Sequence, residues 1–230
     1  MSSKIADANE TSHPGWHCTF NITERTKGTV RSITGYGAES LITGRALVCG
    51  YNLFFKAWRD SKYDAVLEAS KVLFRVEFKG TTTKSLTLTS GGRTGKQISR
   101  SVESREQVLS TEDSEILIGI DSTCGICWII PTEIIMILGK KQISTKQIDF
   151  FKEQWRLMHF LATHPNECRL LLSKGVSHLT DEEYDSVVQA YGDGRQPETC
   201  NNPFKIGKLT FSGSNKKALN VWKLIYDLSM

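Results

Sequence analysis

Asp64, Glu77 and Lys79 are the residues of this 230-residue chain whose types and spacing can do chemistry together. They lie in the segment YDAVLEASKVLFRVEFKG, residues 63–80: an acid, a turn, a short apolar run, then acid–x–Lys. Read as strands, residues 63–68 and 72–79 form a hairpin. Side chains two apart on a strand share a face, so Glu77 and Lys79 point the same way. A carboxylate from the neighbouring strand can join them. Two carboxylates and an ammonium in one small volume are the minimum equipment for metal-assisted attack of water on a phosphodiester.

The bare pattern D-x12-E-x-K also fits an ordinary solvated strand, where Glu and Lys often alternate. The sequence around it argues for more. The run Val72-Leu73-Phe74-Arg75-Val76-Glu77-Phe78-Lys79 is too apolar for an edge hairpin and reads as a strand buried on at least one face, and often on both. Charged side chains at the end of such a strand are costly unless paired or bound to a metal.

The elements that must position these residues follow from periodicity. Ala38, Leu41, Ile42, Ala46 and Cys49 give the helical i, i+3, i+4 stripe across 35–49, with Glu39 beside it. Residues 50–58 read as a strand. After the Asp64 hairpin, residues 80–110 are rich in Thr, Ser, Gly and basic residues, with a short Thr-x-Thr strand at 85–89. A second hairpin spans 114–121 and 125–131. From Ser144 the chain reads as mostly helical. Ser144 and Gln147 resemble a capping box, and Ile148, Phe151, Trp155, Met158 and Ala162 form a stripe that Pro165 closes. Thr180 and Glu183 open another helix ending at Gly192. A polar loop with Pro197 and Pro203 follows. A last helix runs from Ser214 to Leu228, with Leu219, Trp222, Ile225 and Tyr226 inward. The order predicts class α/β, a mixed β-sheet flanked by helices with a mainly helical C-terminal part. The expected organisation is a core over 1–140 with a polar loop at 80–110, and a helical region over 141–230 packed into the same compact domain.

The bulk numbers agree with a globular chain: 39% apolar and 23% charged residues. No apolar run approaches the roughly 20 residues of a membrane span, and residues 1–16 hold no hydrophobic signal core. The expectation is an intracellular, cytoplasmic protein. There the six cysteines, Cys124-Gly125-Ile126-Cys127 included, are ordinary thiols. Gly35-Tyr36-Gly37 lacks the third glycine of a dinucleotide loop, where Ser40 stands. The net charge of +4 is local. Residues 79–106 carry Lys79, Lys84, Arg93, Lys96, Arg100 and Arg105 against Glu103 and Glu106, and the rest of the chain balances. A local basic stretch points to a groove that meets a polyanion.

A helix with Glu39, a strand, Tyr63-Asp64, a strand ending Glu77-Phe78-Lys79, then a strand and Ile129-Ile130-Pro131 resembles the PD-(D/E)xK nuclease superfamily. The resemblance covers roughly residues 35–135 and is nearest the type II restriction endonucleases, which are of prokaryotic type. Tyr63 stands where the motif has Pro, a position that varies in the superfamily. The resemblance implies a restriction-endonuclease-like fold and Mg²⁺-dependent cleavage of double-stranded DNA to 5′-phosphate and 3′-hydroxyl ends. In that reading Asp64 and Glu77 hold Mg²⁺ with the Phe78 backbone carbonyl, oxygen donors that suit this hard cation. Lys79 orients or deprotonates the attacking water. Glu39 is an auxiliary acid; an exposed residue in a first helical turn is its ordinary reading. His159, His164 and His178 have no part and read as packed or surface residues. A homing, repair or junction-resolving nuclease on the same core, or a non-catalytic DNA-binding protein, stays open beside the restriction enzyme.

Specific nucleases read base edges with Arg, Lys, Asn and Gln. Gly91-Gly92-Arg93-Thr94-Gly95-Lys96-Gln97-Ile98-Ser99-Arg100 offers such donors on a glycine-rich loop after the catalytic strand. Arg93, Lys96, Gln97, Arg100 and Arg105 are the expected DNA contacts, to bases or to phosphates. A palindromic target requires a two-fold homodimer, with the helices after 144 as the candidate contact.

Overall fold

A computed structural model describes residues 27–56, 61–90, 107–195, 204–211 and 215–229. In chain order they form α1 (Lys27–Val48), β1 (Asn52–Phe55), β2 (Ala65–Ala69), β3 (Val72–Thr81), β4 (Ser85–Thr87), β5 (Thr89–Ser90) and β6 (Gln107–Val108). There follow β7 (Ile116–Asp121), β8 (Ile126–Pro131), α2 (Thr132–Leu138), β9 (Gln142–Ser144), α3 (Arg156–Leu161), α4 (Pro165–Lys174) and α5 (Asp181–Gly192). The chain closes with β10 (Phe204–Ile206), β11 (Leu209–Phe211) and α6 (Lys216–Ser229). The architecture is the expected one: a mixed five-stranded sheet, ordered β1-β2-β3-β7-β8, flanked by helices, with a mainly helical C-terminal part.

The β2–β3 hairpin forms where the alternation predicts it. Ala65, Leu67, Ala69, Val72, Phe74 and Val76 are all buried, with Leu67 opposite Phe74. Its turn is Ser70-Lys71, both at positive φ (47° and 72°), the backbone twist that two-residue hairpin loops favour. Strand β7 runs parallel to β3 with Glu77 opposite Leu117 and Lys79 opposite Gly119. It is buried on both faces, so Ile116, Leu117, Ile118 and Ile120 read as an unbroken apolar run. Helix α1 lies on the Gly80 face of the sheet through Ala38, Ile42 and Ala46, all buried. Gly80 permits the approach, since a Cβ there would overlap the Ala38 Cβ.

Past β8 the sequence reading needs correction. The expected helix from Ser144 is instead strand β9, a single 3₁₀ turn at Asp149–Phe151, and the short α3. Ser144 pairs with Ser85, and Glu153 adopts φ 55°, which an α-helix cannot accommodate. Glu153 is held there because its carboxylate accepts from the Cys127 N–H (2.8 Å), the Trp155 indole N–H (3.0 Å) and Arg45. The predicted stripe is nevertheless buried: Ile148, Phe151, Trp155, Met158 and Ala162 all reach the core. Pro165 does not end a helix but opens α4 at its first turn, where its missing N–H costs nothing. Strands β10 and β11 replace part of the predicted polar loop.

The helix that Thr180 and Glu183 open ends at Gly192 as read, and the pair forms a capping box there; α6 buries Leu219, Trp222, Ile225 and Tyr226. Glu133, buried at the start of α2, ties that helix to the C-terminal part. It accepts from the Ser177 N–H (3.0 Å), the Ser177 hydroxyl (2.9 Å) and the Trp222 indole N–H (2.7 Å). No helix among the described residues is long and apolar enough to cross a membrane.

Gly80→Ala is expected to lose about 1–3 kcal/mol in denaturant unfolding, the usual penalty of overpacking. The second-site change Ala38→Gly, which vacates the overlapped volume, recovers part of that loss. A fully additive pair would show that α1 does not rest on Gly80.

Candidate active site

The β2–β3 ladder ends at Ala65 opposite Val76, with one further bond from the Asp64 N–H to the Val76 carbonyl (2.9 Å), while β3 continues to Thr81. Phe78 is therefore past the end of its neighbour. Its N–H is taken by the Asp64 side chain, Oδ2 at 2.8 Å. The N–H and C=O of a strand residue point to the same edge, so the Phe78 carbonyl also faces the gap beside Asp64. The second Asp64 oxygen, Oδ1, accepts from Lys56 Nζ at 2.8 Å.

Glu77 and Lys79 share a face of β3, as the alternation requires, and Lys79 Nζ stands 2.6 Å from Glu77 Oε1. Their face is that of Gly119, opposite Lys79 on β7, whereas Gly80 turns the other way toward α1. Glu39 enters from that α1 side, one residue after Ala38. It is half-buried and within electrostatic reach of Asp64, Lys56 and Lys79. Asp64, Glu77 and Lys79 thus lie around the end of β2, and Glu39 stands within electrostatic reach of Asp64 from the α1 side.

Lys56 was not read from the sequence. Continuing the β1–β2 register beyond Phe55–Ala65 puts Lys56 directly opposite Asp64. Only the register reveals this, because residues 50–58 show a strand but not its pairing partner. The expected DNA contacts Arg93, Lys96, Gln97, Arg100 and Arg105 lie outside the described residues.

Electrostatics mark the cluster as strained by charge. Burial pushes Glu77 up to about 7, the Asp64 charge adds to the rise, and Lys79 and Lys56 offset part of it. Glu39 is also raised, first by burial and then by Asp64, with Lys56 and Lys79 opposing. Burial works against the Lys56 ammonium. Its hydrogen bond to Asp64 and the charges of Asp64, Glu77 and Glu39 outweigh that and hold its pKa above the ordinary value.

Among the described residues no three His, Cys, Asp or Glu side chains gather as a metal-binding group. The set that fits a hard divalent cation is two carboxylates with a backbone carbonyl: Asp64, Glu77 and Phe78. The histidines do other things. His159 Nδ1 is 2.9 Å from the Ser70 hydroxyl, and His164 packs edge-on against Tyr191. Cys124 and Cys127 are free thiols, and burial pushes Cys127 up to about 12, the reverse of a reactive redox cysteine.

No protein-family model and no curated protein matches the chain. Among solved structures it overlaps that of a bacterial homing endonuclease, I-Ssp6803I, with a TM-score of 0.45 and 16% sequence identity. The overlap covers 56% of this chain and 92% of the other. A likeness of that degree leaves function to be argued from the site itself.

The raised pKa of Glu77 fixes a sign. A carboxyl that titrates near 7 in the fold but near 4.5 unfolded favours the folded state while protonated. That stability is complete below about 4.5 and is lost as pH rises to about 7. In the presence of a chelator, Glu77→Gln should remove this dependence. Above pH 7 the variant should be more stable than the wild type, by at most about 3 kcal/mol. Parallel stability–pH curves for the two proteins would refute the assignment.

Proposed function

We propose that this chain is a Mg²⁺-dependent, sequence-specific endonuclease that hydrolyses phosphodiester bonds of double-stranded DNA to 5′-phosphate and 3′-hydroxyl ends. One observation carries the reading. At the point where β2 stops, the Asp64 carboxylate, the Phe78 carbonyl edge and the Glu77–Lys79 pair meet in one gap in the sheet. Two buried-side carboxylates beside a backbone carbonyl suit Mg²⁺, which when bound acts as a Lewis acid toward the phosphate and lowers the pKa of water.

The chain's own residues do the rest. Asp64 is pre-positioned by the Phe78 N–H and by Lys56. Glu77 holds the Lys79 ammonium at the mouth of the gap, where it orients the attacking water and offsets charge developing on phosphorus. Glu39 supplies a further acid from α1. Lys56 holds Asp64 in place through its bond to Oδ1.

Within this class the restriction type is the first reading, with a short palindromic target and a two-fold dimer matching it. A homing type, with a longer and rarer target, uses the same chemistry, and the solved structure named above is of a homing endonuclease.

Plasmid DNA incubated with Mg²⁺ or with chelator tests the proposal. Discrete fragments with Mg²⁺ alone are expected; many short fragments indicate the restriction type, and a single rare cut the homing type. Asp64→Asn and Lys79→Ala should each lower cleavage by at least about 10²-fold, as loss of a group acting on the reacting atoms does. Their circular dichroism and unfolding transitions should stay cooperative. Addition of Mg²⁺ should raise the melting temperature of the wild type and not of Asp64→Asn. Cleavage that persists at full rate in Lys79→Ala would sink the mechanism.

A further inference from the structure

Strands β4 and β9 form a two-stranded antiparallel ribbon, with Ser85 opposite Ser144, Leu86 opposite Ile143 and Thr87 opposite Gln142. The pairing extends at both ends through Thr145 N–H to Lys84 C=O (3.0 Å) and Leu88 N–H to Lys141 C=O (2.8 Å). Leu86 and Ile143 point in and are buried. Leu86 seats on Gly119, where a Cβ would collide with it, and Gly119 is the β7 partner of Lys79. The ribbon therefore stands on the sheet face from which Glu77 and Lys79 project, and β4 starts six residues after Lys79.

The outward residues of this ribbon are the neutral Ser85, Thr87, Gln142 and Ser144, and its two ends carry cations. Lys84, Lys140, Lys141 and Lys146 are exposed, and none has an acidic partner among the described residues. The sequence holds no Asp or Glu from Phe78 to Val102 or from Ile134 to Ile148. Thr87 and Gln142 form an exposed cross-strand pair, with no hydrogen-bond partner among the described residues. Ordinary solvated faces mix both signs, so acid-free stretches on both paired strands mark an anion-facing surface. Lys84 is also held at φ 60°, a conformation a lysine adopts at some cost.

We infer that the β4–β9 ribbon is a DNA-docking element that enters the major groove beside the cleavage site. Its lysines contact phosphates, and Thr87 and Gln142 face base edges. The inference rests on the endonuclease reading and names where that enzyme grips its substrate. Two strands about 4.8 Å apart fit the roughly 12 Å major groove of B-DNA, whereas the deep, narrow major groove of duplex RNA excludes them. Gln is one of the side chains that pair bidentately with adenine.

The test is binding of the full chain, in chelator, to a mixed-sequence DNA duplex of roughly three helical turns, followed by fluorescence anisotropy across a salt series. Substituting Lys84, Lys140, Lys141 and Lys146 by Gln should weaken binding and lower the log–log salt slope by about 0.9 for each lysine that meets a phosphate. Lys208→Gln, on the β10–β11 turn, should leave the slope unchanged. All are surface changes, and unaltered melting curves confirm that folding is not at issue. In a selection from randomised duplexes, Gln142→Ala should relax preference at one base position by roughly 5- to 150-fold.

A wild-type slope in the quadruple variant overturns the inference, as does tighter binding to an RNA duplex of the same sequence. If the wild type cuts DNA while the quadruple variant keeps its slope, only the ribbon assignment fails. If the wild type binds no duplex, both readings fall. A reduced slope in a protein that never cuts keeps the ribbon and removes the catalysis.

Discussion

A strand that outruns its neighbour leaves its N–H and C=O groups without a ladder on that edge, and β3 outruns β2 by five residues, Glu77 to Thr81. Buried backbone groups are paired in nearly every native structure, so this edge must be satisfied by something other than a strand. Asp64, the last residue before β2, does it with a side chain, folding its carboxylate onto the Phe78 N–H. The remaining features depend on that substitution. It fixes one carboxylate in the plane of the sheet rather than above or below it. Lys56, at the facing position on β1, bonds it directly, and Glu77 from the Gly119 side and Glu39 from α1 lie within electrostatic reach.

The cluster is short of positive charge where it is buried. Three carboxyls, Glu39, Asp64 and Glu77, face two ammoniums, Lys56 and Lys79. Burial raises Glu39 and raises Glu77 to about 7. A structural ion pair settles its carboxylate below the ordinary range; here the two lysines lower Glu77 without overcoming its desolvation. Functional sites are enriched in carboxyls perturbed by burial together with a specific charge partner, and structural ion-pair networks perturb them too. In the proposed enzyme a divalent cation would bring two charges to one point without a side-chain stem, relieving both Asp64 and Glu77 better than a third lysine.

Much of this was legible in the sequence because it depends on short-range periodicity. The i, i+2 relation put Glu77 beside Lys79, and the hairpin put Asp64 near both. The helical stripe carried Glu39 to the sheet. What escaped depends on pairing between segments far apart in the chain. Lys56 meets Asp64 through the β1–β2 register, and Ser144 is a strand because Ser85 is its partner, 59 residues away. The stripe Ile148–Ala162 gave burial correctly but not helix, because Glu153 trades helical geometry for the Cys127 N–H, Trp155 and Arg45. Burial is set by composition and period; conformation also answers to tertiary hydrogen bonds that no local window contains.

The basic surface has a part that only the strand pairing assembles. Along the chain, Lys84 belongs with Arg93 and Lys96, and the expectation accordingly centred on residues 93–105. In the fold, Lys84 lies opposite Thr145, next to Lys146, and Lys141 lies opposite Leu88 at the other end of the β4–β9 ribbon. The consequence is mechanical as well as electrostatic. A loop can bind a polyanion while moving independently of the catalytic strand, but this ribbon is anchored through Leu86 on Gly119, one strand away from Lys79. Any force on the ribbon is transmitted through a packed side chain to the strand pair that carries Glu77 and Lys79. Because a packed interface has low compressibility, the distance between the ribbon and the gap at Asp64 is set by the sheet itself; under the endonuclease proposal, where the ribbon lies in the groove would choose the phosphate presented to that gap.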